Sequence, residues 1–143
     1  MGPLAPLAYP DACILIYLVE RSDPSAKAVR QRMRPAQGPL PRLVFTELTR
    51  LECRHQPIKE GNMLQLQAYD QLFGSVGHAF QALDRPVFDL ATQLRVQHGI
   101  KTADALHLAA AVRAGCSEFW TNDVRLAKAA QGHMGVVTFE GIA

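Results

Sequence analysis

Five acidic residues lie where apolar segments of this sequence are followed by helical patterns, and their carboxylates could bind a cation together. Asp11 follows an apolar segment in YPDACILIYLVE, and Asp123 follows another in FWTNDVRL. Asp104 lies near the start of KTADALHLAAAV, and Glu47 and Glu52 share FTELTRLECR. Two carboxylates at ~4 Å repel by about 4 kcal/mol at an effective dielectric of about 20. A cluster of them needs protonation or a bound cation, and oxygen ligands suit Mg²⁺ or Mn²⁺ rather than zinc.

Each acid also has a purely structural interpretation. Asp11 and Asp123 are candidate N-caps, and Asp104 would complement the helix dipole in a first turn. Glu52 could complete a capping box with Thr49, three residues earlier. Taken singly, capping is the simpler interpretation at each position. Taken together, four acids at the strand ends of one sheet favour a shared site.

The elements that must position these acids alternate between strands and helices. The patterns predict strands over residues 7–9, 42–45, 79–83, 118–121 and 136–139. They predict helices over residues 12–20, 25–34, from 47 onward, 62–73, 84–98, 102–114 and 123–131. Thr102 is the expected cap of its helix, and Gly99 and Gly115 are expected stops. Such alternation is typical of βαβ units, so the predicted fold class is α/β with a parallel sheet. Ligands of such sheets gather outside the carboxyl ends of the strands.

Composition fits one globular domain over residues 1–143. Hydrophobic residues make up 48% and charged residues 20% of the chain. The longest apolar run, Ala12 to Val19, is far short of the ~20 residues that span a bilayer, and no secretion signal is recognised. Three cysteines without C-x-x-C spacing argue against a disulfide framework, and Cys13 and Cys116 are expected to be reduced core thiols. We therefore expect a cytoplasmic protein with no membrane association.

Positive charge is concentrated in one part of the chain. The formal net charge is only +2, yet residues 21–60 carry nine basic and four acidic residues, which gives 9 − 4 = +5. Six arginines of this segment lie between positions 30 and 54, namely Arg30, Arg32, Arg34, Arg42, Arg50 and Arg54. This basic segment is either a solvated surface or a surface for an anionic polymer.

The segments that carry the acids also carry a family resemblance. YPDACILIYLVE, TELTRLECR, KTADALHLAAAV and FWTNDVRLAKAA resemble, in order, the four signature blocks of the PIN-domain ribonucleases. Their spacing is most similar to that of the VapC toxins of bacterial toxin–antitoxin pairs. The resemblance covers about residues 7–139 and implies a PIN-like three-layer fold, with a central, mainly parallel sheet of about five strands flanked by helices.

The resemblance implies catalytic roles for four acids, Asp11, Glu52, Asp104 and Asp123. Glu47 and Glu52 point about 140° apart on a helix, so only one of them can serve the site. The family pattern, a small hydroxyl residue followed six places later by an acid, matches Thr46 and Glu52. Thr121 matches the hydroxyl residue two places before the last aspartate and implies a supporting role. Asp11, Asp104 and Asp123 are the implied ligands of Mg²⁺ or Mn²⁺.

The implied function is that of a metal-dependent endoribonuclease, the toxin of a toxin–antitoxin pair, acting on tRNA or rRNA. The implied partners are RNA, a cognate antitoxin and a second copy of the chain in a homodimer. His107 is interpreted as a packed or half-exposed helix histidine rather than a ligand or base. Two alternatives stay open, a structure-specific or DNA-directed nuclease and a catalytically degenerate PIN scaffold that binds RNA or protein. The scaffold is favoured by Cys13 and Pro10, which depart from the family pattern beside Asp11.

Overall fold

A five-stranded sheet lies at the centre of the part of the chain, residues 5–139, that a computed structural model describes. Its strands are β1 (Leu7–Pro10), β2 (Arg42–Phe45), β3 (Ala79–Phe80), β4 (Glu118–Trp120) and β5 (Gly135–Val137). The strand order is β3-β2-β1-β4-β5, and every pairing is parallel. The α/β fold with a central sheet of about five strands is therefore confirmed.

Seven helices within residues 5–139 connect and cover these strands. They are α1 (Ala12–Glu20), α2 (Pro24–Met33), α3 (Glu47–Glu60), α4 (Met63–Phe73), α5 (Arg85–His98), α6 (Thr102–Arg113) and α7 (Val124–Ala130). Most begin at a residue whose side chain accepts a backbone N–H of the first turn. These capping residues are Asp11, Asp23, Thr46, Asn62, Asp84 and Asp123. Local capping chemistry therefore sets where most helices begin.

Some predicted element boundaries differ from the structure, among them the last strand, which is Gly135–Val137 instead of residues 136–139. Thr102 is the first residue of α6 and not its cap, since Lys101 holds the N-cap position and makes no side-chain capping bond. The strand expected over residues 79–83 ends at Phe80, and its only partner in the sheet is β2. A strand at the edge of a sheet has one neighbour to hold it, so a short one is not unusual.

The core lies on both sides of the sheet, which gives the three layers. Tyr9, Val44 and Phe119 point from the strands into one layer, where they pack with α5, α6 and α7. Leu43 and Trp120 point into the other layer, against α1, α2 and α4. Side chains alternate between the faces of a strand, so one short apolar strand supplies both layers. The sheet is therefore buried on both sides, as a parallel sheet requires.

The strand order reverses direction between β1 and β4. From β1 the chain moves through α1 and α2 to β2 on one side, whereas β4 lies against the other side of β1. Pro10 pairs with Trp120 at the carboxyl ends of the two strands, and Asp11 N donates to Trp120 O at 2.9 Å. The residues that follow β1 and β4 therefore meet at the crevice where open α/β sheets bind ligands.

The helices of residues 5–139 are 7–14 residues long. None of them is both long enough and apolar enough to span one.

Candidate active site

Asp11 and Asp123 are carried into the crevice by the two central strands. Asp11 caps α1 by accepting Ile14 N at 3.1 Å, and Asp123 caps α7 by accepting Arg125 N at 2.9 Å and Leu126 N at 3.0 Å. Both aspartates therefore cap helices, as one interpretation of the sequence predicted, but capping does not occupy all of their oxygen lone pairs. A capping carboxylate uses only part of its acceptor capacity, because each oxygen has two lone pairs.

Asp104 and Glu52 reach the same crevice from two helices. Asp104 lies in the first turn of α6, and Glu52 lies in the second turn of α3. All four predicted acids line one cavity of about 330 Å³. We call it the acidic cavity; its lining residues are Asp11, Ala12, Cys13, Tyr17, Glu52, Asp104, His107, Asn122, Asp123 and Leu126. The structure therefore brings together the four acids that the sequence analysis selected.

Glu47 lies outside this cavity. Its side chain is 71% exposed and pairs with Arg50, with Oε2 at 2.7 Å from Nη1. The capping box of α3 is formed by Thr46 and Thr49, not by Thr49 and Glu52. Glu52 is consequently left without a capping role and points to the cavity.

Burial and mutual repulsion perturb the acids of the cavity. Burial raises the pKa of Asp11, while hydrogen bonds from Thr121 and from Ile14 N oppose that effect. Burial also raises the pKa of Asp104, and the nearby charges of Asp123 and Glu52 raise it further. Both aspartates are therefore harder to ionise than ordinary ones. A cation in the cavity would relieve this repulsion.

Thr121, which the sequence predicts to support the site, makes hydrogen bonds to both Asp11 and Asp123. Its hydroxyl donates to Asp11 Oδ2 and accepts the backbone N–H of Asp123 at 3.0 Å. Thr121 is fully buried just beyond β4. One rigid hydroxyl thus fixes the relative position of the two strand-end acids.

His107 connects Glu52 to the core, a link that the sequence analysis missed. The imidazole is 3% exposed, and its Nε2 lies 2.5 Å from Glu52 Oε1. Its Nδ1 lies 2.6 Å from the hydroxyl of Tyr9, which also bonds Thr46 Oγ1 at 3.1 Å and Thr49 Oγ1 at 3.2 Å. The expectation of a packed helix histidine is confirmed, but this histidine also holds an acid of the cavity. The sequence offered one sign of this contact: His107 lies one turn after Asp104 on the same helix.

The expectation that Cys13 is a core thiol was wrong. Cys13 is exposed at the acidic cavity instead of lying in the core, whereas Cys53 and Cys116 are buried and all three are free thiols. Asp11 points inward and caps α1, so the residue two places later on the helix faces the cavity mouth. The apolar run Ala12 to Val19 gave no sign of this, because the helix it forms is only partly covered.

The donor set of the cavity fits a hard divalent cation. It offers carboxylate oxygens from four segments and the side chain of Asn122, and Mg²⁺ and Mn²⁺ prefer such oxygens. Within residues 5–139, no group of three His, Cys, Asp or Glu side chains is already drawn together as a metal-ligand set. Mg²⁺ usually keeps several waters and binds only one or two carboxylates directly, so a loose set of acids is compatible with it.

The basic segment is held largely by contacts with the protein itself. Arg32 pairs with Glu118 at 2.7 Å, and Arg54 pairs with Asp70 at 2.9 Å. Arg30 and Arg42 donate to the backbone carbonyls of Leu18 and Gly77, respectively, each at 3.0 Å. With the Arg50–Glu47 pair, five of the six arginines between positions 30 and 54 have protein partners. A surface for an anionic polymer stays a prediction.

The fold and the cavity define a class of protein, a parallel α/β domain with acidic residues gathered over its topological switch point. The PIN domain family model matches residues 8–132, and the chain belongs to that family. Proteins of this family that act as nucleases generally use divalent metal ions. No match was found among curated protein sequences.

Solved structures with the same fold come from several bacteria. The chain is similar to a chain of a toxin–antitoxin complex from Klebsiella pneumoniae, with 23% identity, a TM-score of 0.69 and coverage of 94% of this chain and 99% of that one. VapBC2 from Rickettsia felis, bound to a DNA fragment from its promoter, gives 11% identity, a TM-score of 0.71 and the same coverages. VapC20 from Mycobacterium tuberculosis, a toxin that cleaves the sarcin–ricin loop, gives 14% identity, a TM-score of 0.68 and coverages of 85% and 94%.

Proposed function

We propose that this chain is a metal-dependent endoribonuclease and the toxin of a toxin–antitoxin pair. The observation that carries the proposal is the acidic cavity, where Asp11, Glu52, Asp104 and Asp123 converge from four separate segments of a PIN domain. Capping alone does not require four acids in one cavity, and their mutual repulsion works against the fold. Selection for binding a cation explains the arrangement. The tRNA or rRNA substrate is suggested by the family resemblance.

The residues of the cavity divide the work of hydrolysis. Asp11, Asp104 and Asp123 would hold Mg²⁺ or Mn²⁺, which when bound lowers the pKa of a water and stabilises charge on the scissile phosphate. Through its two hydrogen bonds, Thr121 fixes the position of Asp11 relative to the backbone of Asp123. Glu52 presents a carboxylate whose Oε1 is fixed by His107, which leaves Oε2 to orient a water or accept its proton. Tyr9 fixes the imidazole in turn.

Metal-dependent cleavage of RNA tests the proposal. Purified chain is incubated with total bacterial RNA in Mn²⁺, in Mg²⁺ and in EDTA. Discrete fragments should appear with either metal and disappear with EDTA. Asp104→Asn should abolish cleavage, whereas Asp89→Asn, which removes an exposed acid of α5 outside the cavity, should cleave like the wild type. Intact RNA in every lane, together with no stabilisation by metal, would instead favour the degenerate scaffold.

An antitoxin partner is suggested by the family resemblance, and a groove along α1 offers a place for it. Leu18, Arg30, Met33 and Arg34 line a depression of about 340 Å³ between α1 and α2. An amphipathic helix of an antitoxin could lie in this groove, and a basic segment beyond that helix could follow α1 to the acids at its other end. Coexpression with the neighbouring reading frame should yield a complex that does not cleave RNA. A freely active complex would contradict this assignment.

A homodimer is the proposed assembly of the chain. The proposal comes from the family resemblance. Light scattering of the purified chain measures its mass in solution, and a mass twice the 15.7 kDa of the chain would support the dimer. A mass of one chain at all concentrations tested would contradict it.

A further inference from the structure

Two histidines far apart in the sequence meet away from the acidic cavity. Nε2 of His98 lies 3.4 Å from Nε2 of His133, and the ring centroids are 5.6 Å apart. The nitrogens are closer than the centroids, so the two rings turn their Nε2 edges toward each other. Neither histidine lines the acidic cavity. The proposed nuclease function does not use this pair.

The separation of the two nitrogens is the one that a shared metal ion imposes. Two imidazoles bound to Zn²⁺ at about 2.0–2.1 Å with tetrahedral geometry place their nitrogens about 3.3–3.4 Å apart. The observed 3.4 Å fits this value, and the rings, whose centroids are 5.6 Å apart because the two nitrogens point almost directly at each other, need a small rotation to converge on one ion. At 3.4 Å the contact is also long for a direct hydrogen bond between the two rings.

The backbone holds both histidines in place. His98 is the last residue of α5, where Gly99 in the left-handed conformation donates its N–H to Arg95 O at 2.8 Å. His133 lies in the turn between α7 and β5, and its N–H bonds Ala130 O at 2.9 Å. Both supporting helices bury apolar side chains in the same core layer. The two backbone positions are therefore fixed, and only the two side chains would have to be ordered when an ion binds.

Charges of both signs lie near the pair. His98 lies at the C-terminal end of α5, a helix of 14 residues, where the helix dipole places partial negative charge. Arg95, the nearest cationic residue along α5, donates its Nε to the carbonyl of Ile100 at 3.1 Å, so its positive charge lies at the same end of α5 and opposes the dipole's effect. Imidazole nitrogens suit Zn²⁺, Ni²⁺ and Cu²⁺, and they are poor ligands for Mg²⁺.

From this geometry we infer that His98 and His133 form a second metal site, selective for a borderline divalent ion such as Zn²⁺ and completed by waters. A bound ion would clamp the turn after α7 to the end of α5. Because Asp123 caps α7, such a clamp would stabilise the helix that follows one acid of the cavity. The inference does not depend on RNA cleavage.

Binding of Zn²⁺ to the full chain tests the inference. The titration is done in excess Mg²⁺, which competes for the carboxylates but not for imidazole nitrogens, and the thermal midpoint and the histidine Hε1 resonances are followed. Zn²⁺ should raise the midpoint and shift the resonances of His98 and His133. His98→Gln and His133→Gln should each weaken binding at least tenfold, whereas His55→Gln, which changes an exposed histidine of α3, should bind like the wild type.

Three outcomes would overturn the inference. The first is no binding of Zn²⁺ by the wild type. The second is equal affinity in the wild type and in both pair variants, measured on proteins whose metal-free midpoints match. The third is loss of binding only in Asp104→Asn, which would place the ion in the acidic cavity. A failed nuclease assay would leave these results unchanged, so the two proposals fail separately.

Discussion

Replacing His107 by leucine should lower the cleavage rate, because Glu52 loses the group that positions it, while the free energy of unfolding changes little. The imidazole makes two polar contacts, at 2.5 Å to Glu52 and at 2.6 Å to Tyr9. After the substitution the Tyr9 hydroxyl keeps its bonds to Thr46 and Thr49, and the 33% exposed side chain of Glu52 can be hydrated. Neither partner is left as a buried unsatisfied group, so the free energy of unfolding should change by no more than about 1 kcal/mol.

Activity should respond much more strongly than stability. Removing a group that orients a metal-site ligand typically lowers metal affinity or activity by about 10–100-fold. We therefore expect the cleavage rate of His107→Leu at saturating Mn²⁺ to fall within that range. His107→Gln retains an N–H donor at about the place of Nε2 and should recover part of the loss.

The assay compares rates of RNA cleavage with thermal midpoints for the same proteins. His55→Leu is the matched control, because His55 is an exposed histidine of the same helix as Glu52 and lies outside the acidic cavity. A rate for His107→Leu within threefold of the wild type would refute the positioning role. So would a drop in midpoint large enough to explain the lost activity by unfolding.

Two further substitutions test neighbouring contacts. Thr121→Val removes the hydrogen bond that lowers the pKa of Asp11, so the pKa of Asp11 should rise. Because a carboxylate must be ionised to bind a cation, the variant should lose activity at a higher pH than the wild type as the solution is acidified. An unchanged acidic limb of the pH–rate profile would contradict this. Tyr9→Phe keeps the ring stacked on Phe119 but leaves His107 Nδ1 buried without its partner, which should cost about 1–3 kcal/mol of unfolding free energy. Thermal or urea unfolding measures it, with the partly exposed Tyr17→Phe as control, and equal losses in the two variants would argue against the network.

Much of the fold was predictable from the sequence because its signals are local. Alternating apolar strands and capped helices gave the parallel α/β architecture, and β2 and α1 were predicted with the bounds that the structure has. The predicted cap of α6, Thr102, was wrong: threonine is a good cap in general, but Lys101 holds that position and Thr102 is the first helical residue. Propensity decides such boundaries only when tertiary contacts do not.

The candidate site was predictable as a set of acids, but not as a network. Strand-end position and family pattern selected the four carboxylates, because both are readable along the chain. The Tyr9–His107–Glu52 chain joins three separate elements, and no sequence spacing encodes its distances. The exposure of Cys13 depends on which face of α1 is covered, which only the packed helices decide.

Stabilisation by Mn²⁺ tests the central claim, that the acidic cavity is a divalent metal site. An ion at about one hundred times its Kd stabilises a fold by about 2.7 kcal/mol. The thermal midpoint of the wild type, and of the control Asp89→Asn, should therefore rise with Mn²⁺. Without metal, Asp104→Asn should be more stable than the wild type at neutral pH by about 0.5–2 kcal/mol. The raised pKa of Asp104 gives this sign, because ionisation of that carboxyl as the pH rises opposes folding.

In Asp104→Asn, Mn²⁺ should produce little or no further rise. A wild-type midpoint that does not respond to Mn²⁺, or an Asp104→Asn midpoint that rises as much as the wild type's, would contradict the account.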